Sequence, residues 1–239
     1  MPIYAEDLAY IQAAGYGDFA RRASPGLLAA LRAAGIRDGT VVDLGCGAGV
    51  WLRALLRADY RAIGLDASAS LVRAARRAAP GAELKVGSIY RSALPACDAV
   101  TAISEVLSYL PDGAGPAPAL GSCFERIASR LPRGGLFVFD LMVDDRSQSY
   151  RSWNSGRDWA VLVEVKREPK RRSIVREITT FRRTRGGYRR GHERHRIRIT
   201  PRDEVESALR AAGFTVRVAR RYGNQELAPG RLAFRARKV

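Results

Sequence analysis

The sequence predicts an α/β fold: a mostly parallel sheet, covered by helices on both faces, with a small antiparallel β insertion after its fifth strand. Three observations predict it. From residue 41 to residue 144, short apolar runs alternate with helical patterns, and crossover helices between strands make neighbouring strands parallel. A glycine-rich turn, Gly45-Cys46-Gly47-Ala48-Gly49, joins the first such strand to its helix. From 145 to 200 the alternation stops, and three successive segments repeat apolar residues at period two, as half-buried antiparallel strands do.

The elements follow in order. Residues 1–40 read as a helical segment covering the cofactor and substrate site. A break is expected near Gly15-Tyr16-Gly17 and another at Ser24-Pro25-Gly26, where Ser24 would cap and Pro25 would open a helix to Ala34. Residues 41–144 form the cofactor-binding core. Its strands are expected at 41–44, 61–66, 83–87, 97–103 and 136–141, and its helices at 50–57, 68–78 and 120–130. The Pro- and Gly-rich loop 111–118 would rim the pocket. Residues 145–200 form the antiparallel insertion, a substrate lid or dimer surface. Its strands are Trp159–Val165, Ser173–Phe181 and Tyr188–Thr200, the last two joined by a hairpin at Arg185-Gly186-Gly187. Residues 201–239 give a helix, with Thr200 as N-cap and Gly213 as terminator, and the last two strands, Thr215–Arg221 and Leu232–Arg237.

The turn at 45–49 carries the chemistry. Glycine is required where the backbone must enter conformations closed to other residues, or where a ligand must touch bare backbone. The spacing is G-x-G-x-G, not the G-x-G-x-x-G of dinucleotide sites, and Asp43 precedes the first glycine by two residues. A carboxylate there repels a pyrophosphate and suits a cationic amine. A second strand ends at Asp66, 17 positions beyond Gly49, close to the offset at which an acid accepts from ribose hydroxyls. Val41 to Gly49 resembles motif I of the class I S-adenosylmethionine (SAM) dependent methyltransferases. Further landmarks follow in that family's order: Asp66; Gly87-Ser88-Ile89; Ser104-Glu105 after the fourth strand; and the Leu131-Pro132-Arg133-Gly134-Gly135 turn before the fifth.

The resemblance implies a Rossmann-like, mostly parallel seven-stranded sheet and SAM as cofactor. It implies cofactor contacts from Asp43, Gly45, Cys46, Gly47, Gly49, Asp66, Ala67, Gly87, Ser88, Ile89 and Ser104, with Ile89 or its neighbours against the adenine and Ser104 near the methyl group. The antiparallel insertion resembles that of small-molecule methyltransferases, including those that N-methylate amino sugars. The expected activity is therefore methyl transfer to an O or N atom of a small molecule, and the partners are that acceptor and, across the insertion, a second copy of the chain.

Three residues are candidates for the chemistry. In the strand Tyr188–Thr200, alternation puts His195 on the face of Ile197 and Ile199 and His192 with the arginines. His195 is the candidate base or substrate ligand; a core histidine is the equal alternative. Glu105 is expected beside the methyl position, as an amine ligand or as a helix-dipole carboxylate. Tyr16 resembles the aromatic that relatives place over the SAM cation, or packs a helix. Trp153, Trp159 and Tyr222 could line the pocket, Trp159 more simply as core. No metal-ligating spacing, Ser-His-Asp set or P-loop is present, and strand four is not followed by the Asn/Asp-Pro-Pro-Tyr/Phe run by which enzymes that methylate nucleobase amines resemble one another.

The formal charge is +17, unevenly spread. Residues 1–144 hold 15 Lys/Arg against 14 Asp/Glu, and residues 145–239 hold 26 against 10. An RNA or protein methyltransferase using the basic half is the runner-up, and a non-catalytic SAM-binding subunit a third reading. Nucleic acid is not favoured, because the arginines lack interleaved aromatics of a recognition surface. Three cysteines without metal spacing, no long apolar run and a mixed, acidic N-terminus suit a cytoplasmic enzyme with no membrane contact.

Overall fold

The computed structural model describes residues 3–110, 119–144 and 149–239; the loop expected at 111–118 lies outside the described residues. Two helices open the chain, α1 (Glu6–Gly15) and α2 (Asp18–Ala33). The core follows as β1 (Thr40–Leu44), α3 (Val50–Leu56), β2 (Arg61–Asp66), α4 (Ala69–Ala78), β3 (Glu83–Val86) and β4 (Ala99–Ala102). A 3-10 turn at Val106–Ser108 leads to β5 (Tyr109–Leu110), α5 (Leu120–Ala128) and β6 (Leu136–Met142). The antiparallel unit adds β7 (Tyr150–Ser155), β8 (Trp159–Glu168), β9 (Ser173–Thr184) and β10 (Gly187–Arg198). The chain closes with α6 (Arg202–Ala211), β11 (Phe214–Ala219), the short pair β12 (Arg221–Tyr222) and β13 (Gln225–Glu226), and β14 (Arg231–Lys238).

Seven strands form the main sheet in the order β11-β14-β6-β4-β1-β2-β3. The strands β3, β2, β1, β4 and β6 are mutually parallel, while β14 runs antiparallel to β6 and β11 antiparallel to β14. The central strands are buried on both faces, β6 over its full length, as a parallel strand between helical layers must be. One core cluster lies under α5 and α6, with Phe124, Phe137, Phe139 and Phe234 in ring contact. The other lies under α2 and α3, around Leu27, Trp51, Leu52 and Leu55. No helix among the described residues is long and apolar enough to cross a membrane.

The second sheet has five strands, β5-β10-β9-β8-β7, rather than the three expected. The additions are the two-residue β5, whose Tyr109 pairs with Ile197, and β7, which is exposed along its whole length. Neither carries a buried alternating pattern, so period-two reading has nothing to detect. The β9–β10 hairpin pairs Thr184 with Gly187 across Arg185-Gly186, and the register runs unbroken to Ser173 and Arg198. The inner face of this sheet rests on α1, with Trp159, Val161 and Ile178 against Leu8 and Ile11.

Two local expectations are corrected. Helix α2 passes through Ser24-Pro25-Gly26 without restarting. Pro25 cannot donate to the carbonyl one turn back, but burial of Ala23, Gly26, Leu27 and Ala30 continues through it. Ser24 donates its hydroxyl to the Ala20 carbonyl at 2.7 Å instead of capping. Gly26 is fixed by its neighbour: a Cβ there would lie 2.4 Å from the Gly223 nitrogen. Thr200 does not cap α6, which begins after Pro201 without a side-chain cap; its backbone N–H donates to the Met142 carbonyl at 3.0 Å.

Candidate active site

At the carboxyl end of β1 the chain turns through Gly45, Gly47 and Gly49 at φ +69°, +54° and +80°. Gly45 and Cys46 donate their N–H groups to the Leu65 carbonyl at 2.7 and 3.2 Å, tying the turn to β2. A Cβ on Gly45 would sit 2.5 Å from Val106, and one on Gly49 would sit 3.0 Å from Ala75. Among the described residues nothing lies within 4 Å of where a Gly47 Cβ would be, so bare backbone faces open space there. This fits a nucleoside cofactor lying across the turn.

Asp66 closes the other side. It accepts from Gly47 N–H at 2.9 Å and Ser68 N–H at 2.8 Å. A carboxylate has about four acceptor positions, so capacity remains for a diol. Burial raises its carboxyl above the ordinary range, and the two backbone bonds oppose the rise. Ser68 also caps α4, accepting from Leu71 N–H at 3.2 Å. Asp43 is buried and accepts from the Thr101 hydroxyl at 2.7 Å; Thr101 accepts in turn from the Trp51 indole at 3.0 Å. Burial pushes its carboxyl up to about 7; the Thr101 bond pulls down, and the Asp66 charge adds to the rise.

The remaining candidates border this turn differently. The Cys46 thiol points into the core, where a Cβ on Gly64 would meet its sulfur, and burial raises the thiol far above its usual range. Only its backbone lines the cleft. Ala67 and Ser104 are exposed. Gly87 donates to the Asp66 carbonyl at 2.9 Å. The Ser88 hydroxyl accepts from Tyr90 N–H at 3.2 Å, and half-buried Ile89 packs on the core.

After β4 two successive non-glycine residues are left-handed, Ser104 at φ +67° and Glu105 at φ +55°. Both N–H groups donate to Asp140 at 2.8 Å. Asp140 is fully buried within β6 and also accepts from the Tyr222 hydroxyl at 2.8 Å and from the Arg231 guanidinium. The Glu105 carboxylate precedes the 3-10 turn but is held by more than a helix dipole. It is buried, 2.6 Å from Arg176 and 3.6 Å from Arg231, and its Oε2 accepts no hydrogen bond from the described residues. Burial alone would raise its carboxyl; the Arg176 and Arg231 charges outweigh that and hold it below the usual range.

His195 belongs to the same buried cluster, through Tyr109 and Arg176. Strand parity puts it inward and His192 outward: His195 is buried, whereas the half-exposed His192 ring lies 3.2 Å from Glu177. The His195 Nε2 lies 2.9 Å from Glu193 Oε2. A carboxylate only accepts, so Nε2 is the donor, and in the neutral ring Nδ1 is the remaining acceptor. That Nδ1 is buried with no hydrogen-bond partner among the described residues. The Tyr4 and Tyr109 rings stand 5.1 and 5.7 Å from the imidazole, and their hydroxyls are 2.9 Å apart. Tyr4 also joins the two halves of the molecule. Its N–H donates to Glu193 at 2.7 Å, and its carbonyl accepts from the Ser68 hydroxyl at 2.6 Å.

Tyr16 stays outside this cluster. It is 40% exposed at the end of α1, its ring 6.3 Å from Trp159. Trp159 is core, Trp153 is 76% exposed, and Tyr222 belongs to the Asp140 cluster. Sequence reading gives no role to Tyr4, Asp140, Arg176 and Arg231. Two carried a signal: Asp140 interrupts an otherwise apolar strand, and Arg176 alternates with Ile174 and Ile178 on the buried face.

Comparisons with known proteins bear on the fold. Residues 41–135 match the family described as a methyltransferase domain. No curated protein sequence matches. Among solved structures the chain is similar to DesVI from Streptomyces venezuelae (22% identity, 98% of this chain and 96% of that one, TM-score 0.77). It is also similar to SAM-bound CalS10, an amino pentose methyltransferase of calicheamicin biosynthesis from Micromonospora echinaspora (21%, 97% and 95%, TM-score 0.75). A third is the sugar N-methyltransferase KedS8 from a Streptoalloteichus species (20%, 98% and 92%, TM-score 0.72). The fold is that of these SAM-dependent methyltransferase structures, and the stretch that carries motif I matches a methyltransferase domain.

Proposed function

We propose that the protein transfers a methyl group from SAM to an O or N atom of a small molecule. One observation carries the reading. The open backbone of Gly47 beside Asp66 stands at the carboxyl ends of β1 and β2, next to the strained Ser104-Glu105 turn that leads into a buried polar pocket. Bound SAM supplies a methyl group activated on a sulfonium. Asp66 would hold its ribose hydroxyls, the glycine turn its backbone, and Asp43 its ammonium end.

The chain's residues do the rest. Holding an acceptor in line with the methyl carbon can supply about 7–11 kcal/mol of the barrier. Tyr4, Tyr109 and the Arg176–Glu105 pair give the pocket its fixed walls and exclude water. Glu105 is held anionic by two guanidiniums, so it is a weak base and serves as charge and acceptor. His195 Nδ1 is the better proton acceptor, backed by Glu193 on the opposite nitrogen. CalS10 and KedS8, named for amino pentose and sugar N-methylation, make amines the first acceptors to try.

The basic half does not favour the nucleic-acid alternative. Its arginines are widely paired, Arg189 with Asp7, Arg172 with Glu204, Arg194 with Glu177 and Arg231 with Asp140. The experiment is transfer from methyl-labelled SAM to a panel of small amines and alcohols, with RNA and protein as parallel acceptors. Label on small molecules supports the reading; label only on RNA or protein overturns it. We read the exposed edge strand β7 as the surface for a second copy. Trp153 and Leu162 face solvent side by side there, and an antiparallel edge can pair with itself about a two-fold axis.

A further inference from the structure

Asp140 is fully buried, and several elements converge on it. Its two oxygens accept from Ser104 N–H, Glu105 N–H, the Tyr222 hydroxyl and the Arg231 guanidinium. The first two donors matter most. Left-handed backbone is unfavourable for serine and glutamate, and two such residues in succession persist only when their surroundings over-determine them. Converging N–H groups of this kind form a concavity that an anion fills; here the anion is built in.

The turn held this way touches both halves of the site. Downstream, Val106 packs on Gly45, with its methyl carbon 2.5 Å from where a Cβ would lie. Upstream, Glu105 pairs with Arg176. The other side of the Asp140 cluster reaches the N-terminal helices. Arg231 stacks over the Phe19 ring at 5.1 Å, and Tyr222 abuts Gly26 of α2.

We infer that Asp140 is a positioning residue: it holds Ser104-Glu105 left-handed and thereby sets the SAM turn and the acceptor pocket in one fixed relation. The inference rests on the reading that this turn borders SAM. A carboxylate is needed because every partner donates. Asn would turn one acceptor into a donor that faces one backbone N–H together with either the Tyr222 hydroxyl or the Arg231 guanidinium.

The test is a double-mutant comparison of SAM affinity by calorimetry. Asp140→Asn should weaken SAM binding about tenfold. In the Ser104→Gly background the same change should weaken it only about threefold, because glycine reaches φ > 0 without help. General destabilisation would give equal losses in both backgrounds, and equal or absent losses overturn the inference. If Asp140→Asn does not fold, Asp140→Glu, which keeps the charge and displaces the carboxylate by one methylene, takes its place in the same comparison. A crystal structure of whichever variant folds separates this idea from the cofactor reading. Residues 104 and 105 should leave the left-handed region and Val106 should withdraw from Gly45. An unchanged turn overturns the inference, whether or not the chain binds SAM; failure of the wild-type chain to bind SAM overturns the proposed function, and the turn geometry still decides this one.

Discussion

Asp43 shows how one buried group ties sequence, stability and ligand together. Its folded carboxyl titrates at about 7, above the unfolded value of about 4. The folded state therefore binds this proton more tightly, and the stabilisation present at low pH is lost as pH rises from about 4 through about 7. A cationic ammonium reverses the preference, because it favours the ionised form. SAM affinity should accordingly rise as pH increases toward and past 7 and then level off. In Asp43→Asn that slope should vanish and affinity at pH 8 should fall about tenfold. Calorimetry from pH 6 to pH 8 reads both, and a flat wild-type profile would contradict the role of Asp43. His195 is the second residue-scale case. His195→Ala should lower kcat about 100-fold with little change in SAM affinity if Nδ1 takes a proton, while His192→Ala should change neither. An effect confined to KM would assign His195 to substrate holding.

Individual elements decide which parts of this were legible in the sequence. The glycine turn was readable because strained backbone leaves a mark in residue type: Gly45, Gly47 and Gly49 are all left-handed. Gly45→Ala should prove the point, adding both a φ penalty and a clash with Val106. An unfolding free energy lower by about 1–3 kcal/mol and loss of SAM binding are expected; retention of both would mean that the turn is not the cradle. Strand β10 was readable because period two separates His195 from His192. The turn after β4 was not, because its left-handed residues are Ser104 and Glu105, and what holds them is Asp140 from β6, 35 residues on. Tyr4 was hidden for the same reason, since its partners Ser68 and Glu193 lie 64 and 189 positions away. Pro25 misled in the opposite direction, as tertiary burial carried α2 through a local stop signal. The exposed edge β7 has a test of its own: the wild-type chain should sediment as a dimer and Trp153→Ser as a monomer. A monomeric wild type would remove the dimer from the account.

At the scale of the whole molecule, the chain joins a nearly neutral cofactor half to a strongly basic C-terminal half, and acids of the first pair with arginines of the second. Asp7 meets Arg189, Glu105 meets Arg176 and Asp140 meets Arg231. Breaking a buried pair by removing one partner costs about 3–5 kcal/mol, so Arg176→Ala should lower stability in chemical denaturation by that order; a change below about 1 kcal/mol would mean that Glu105 is not held by its charge. The account as a whole stands on the cofactor. Calorimetric titration of SAM into the purified chain, wild type against Asp66→Ala, tests it most directly. The wild type should bind SAM at a single site, and Asp66→Ala should bind it about 10- to 100-fold more weakly while remaining folded. A folded wild-type chain that binds no SAM, or an Asp66→Ala chain that binds it equally well, would contradict it.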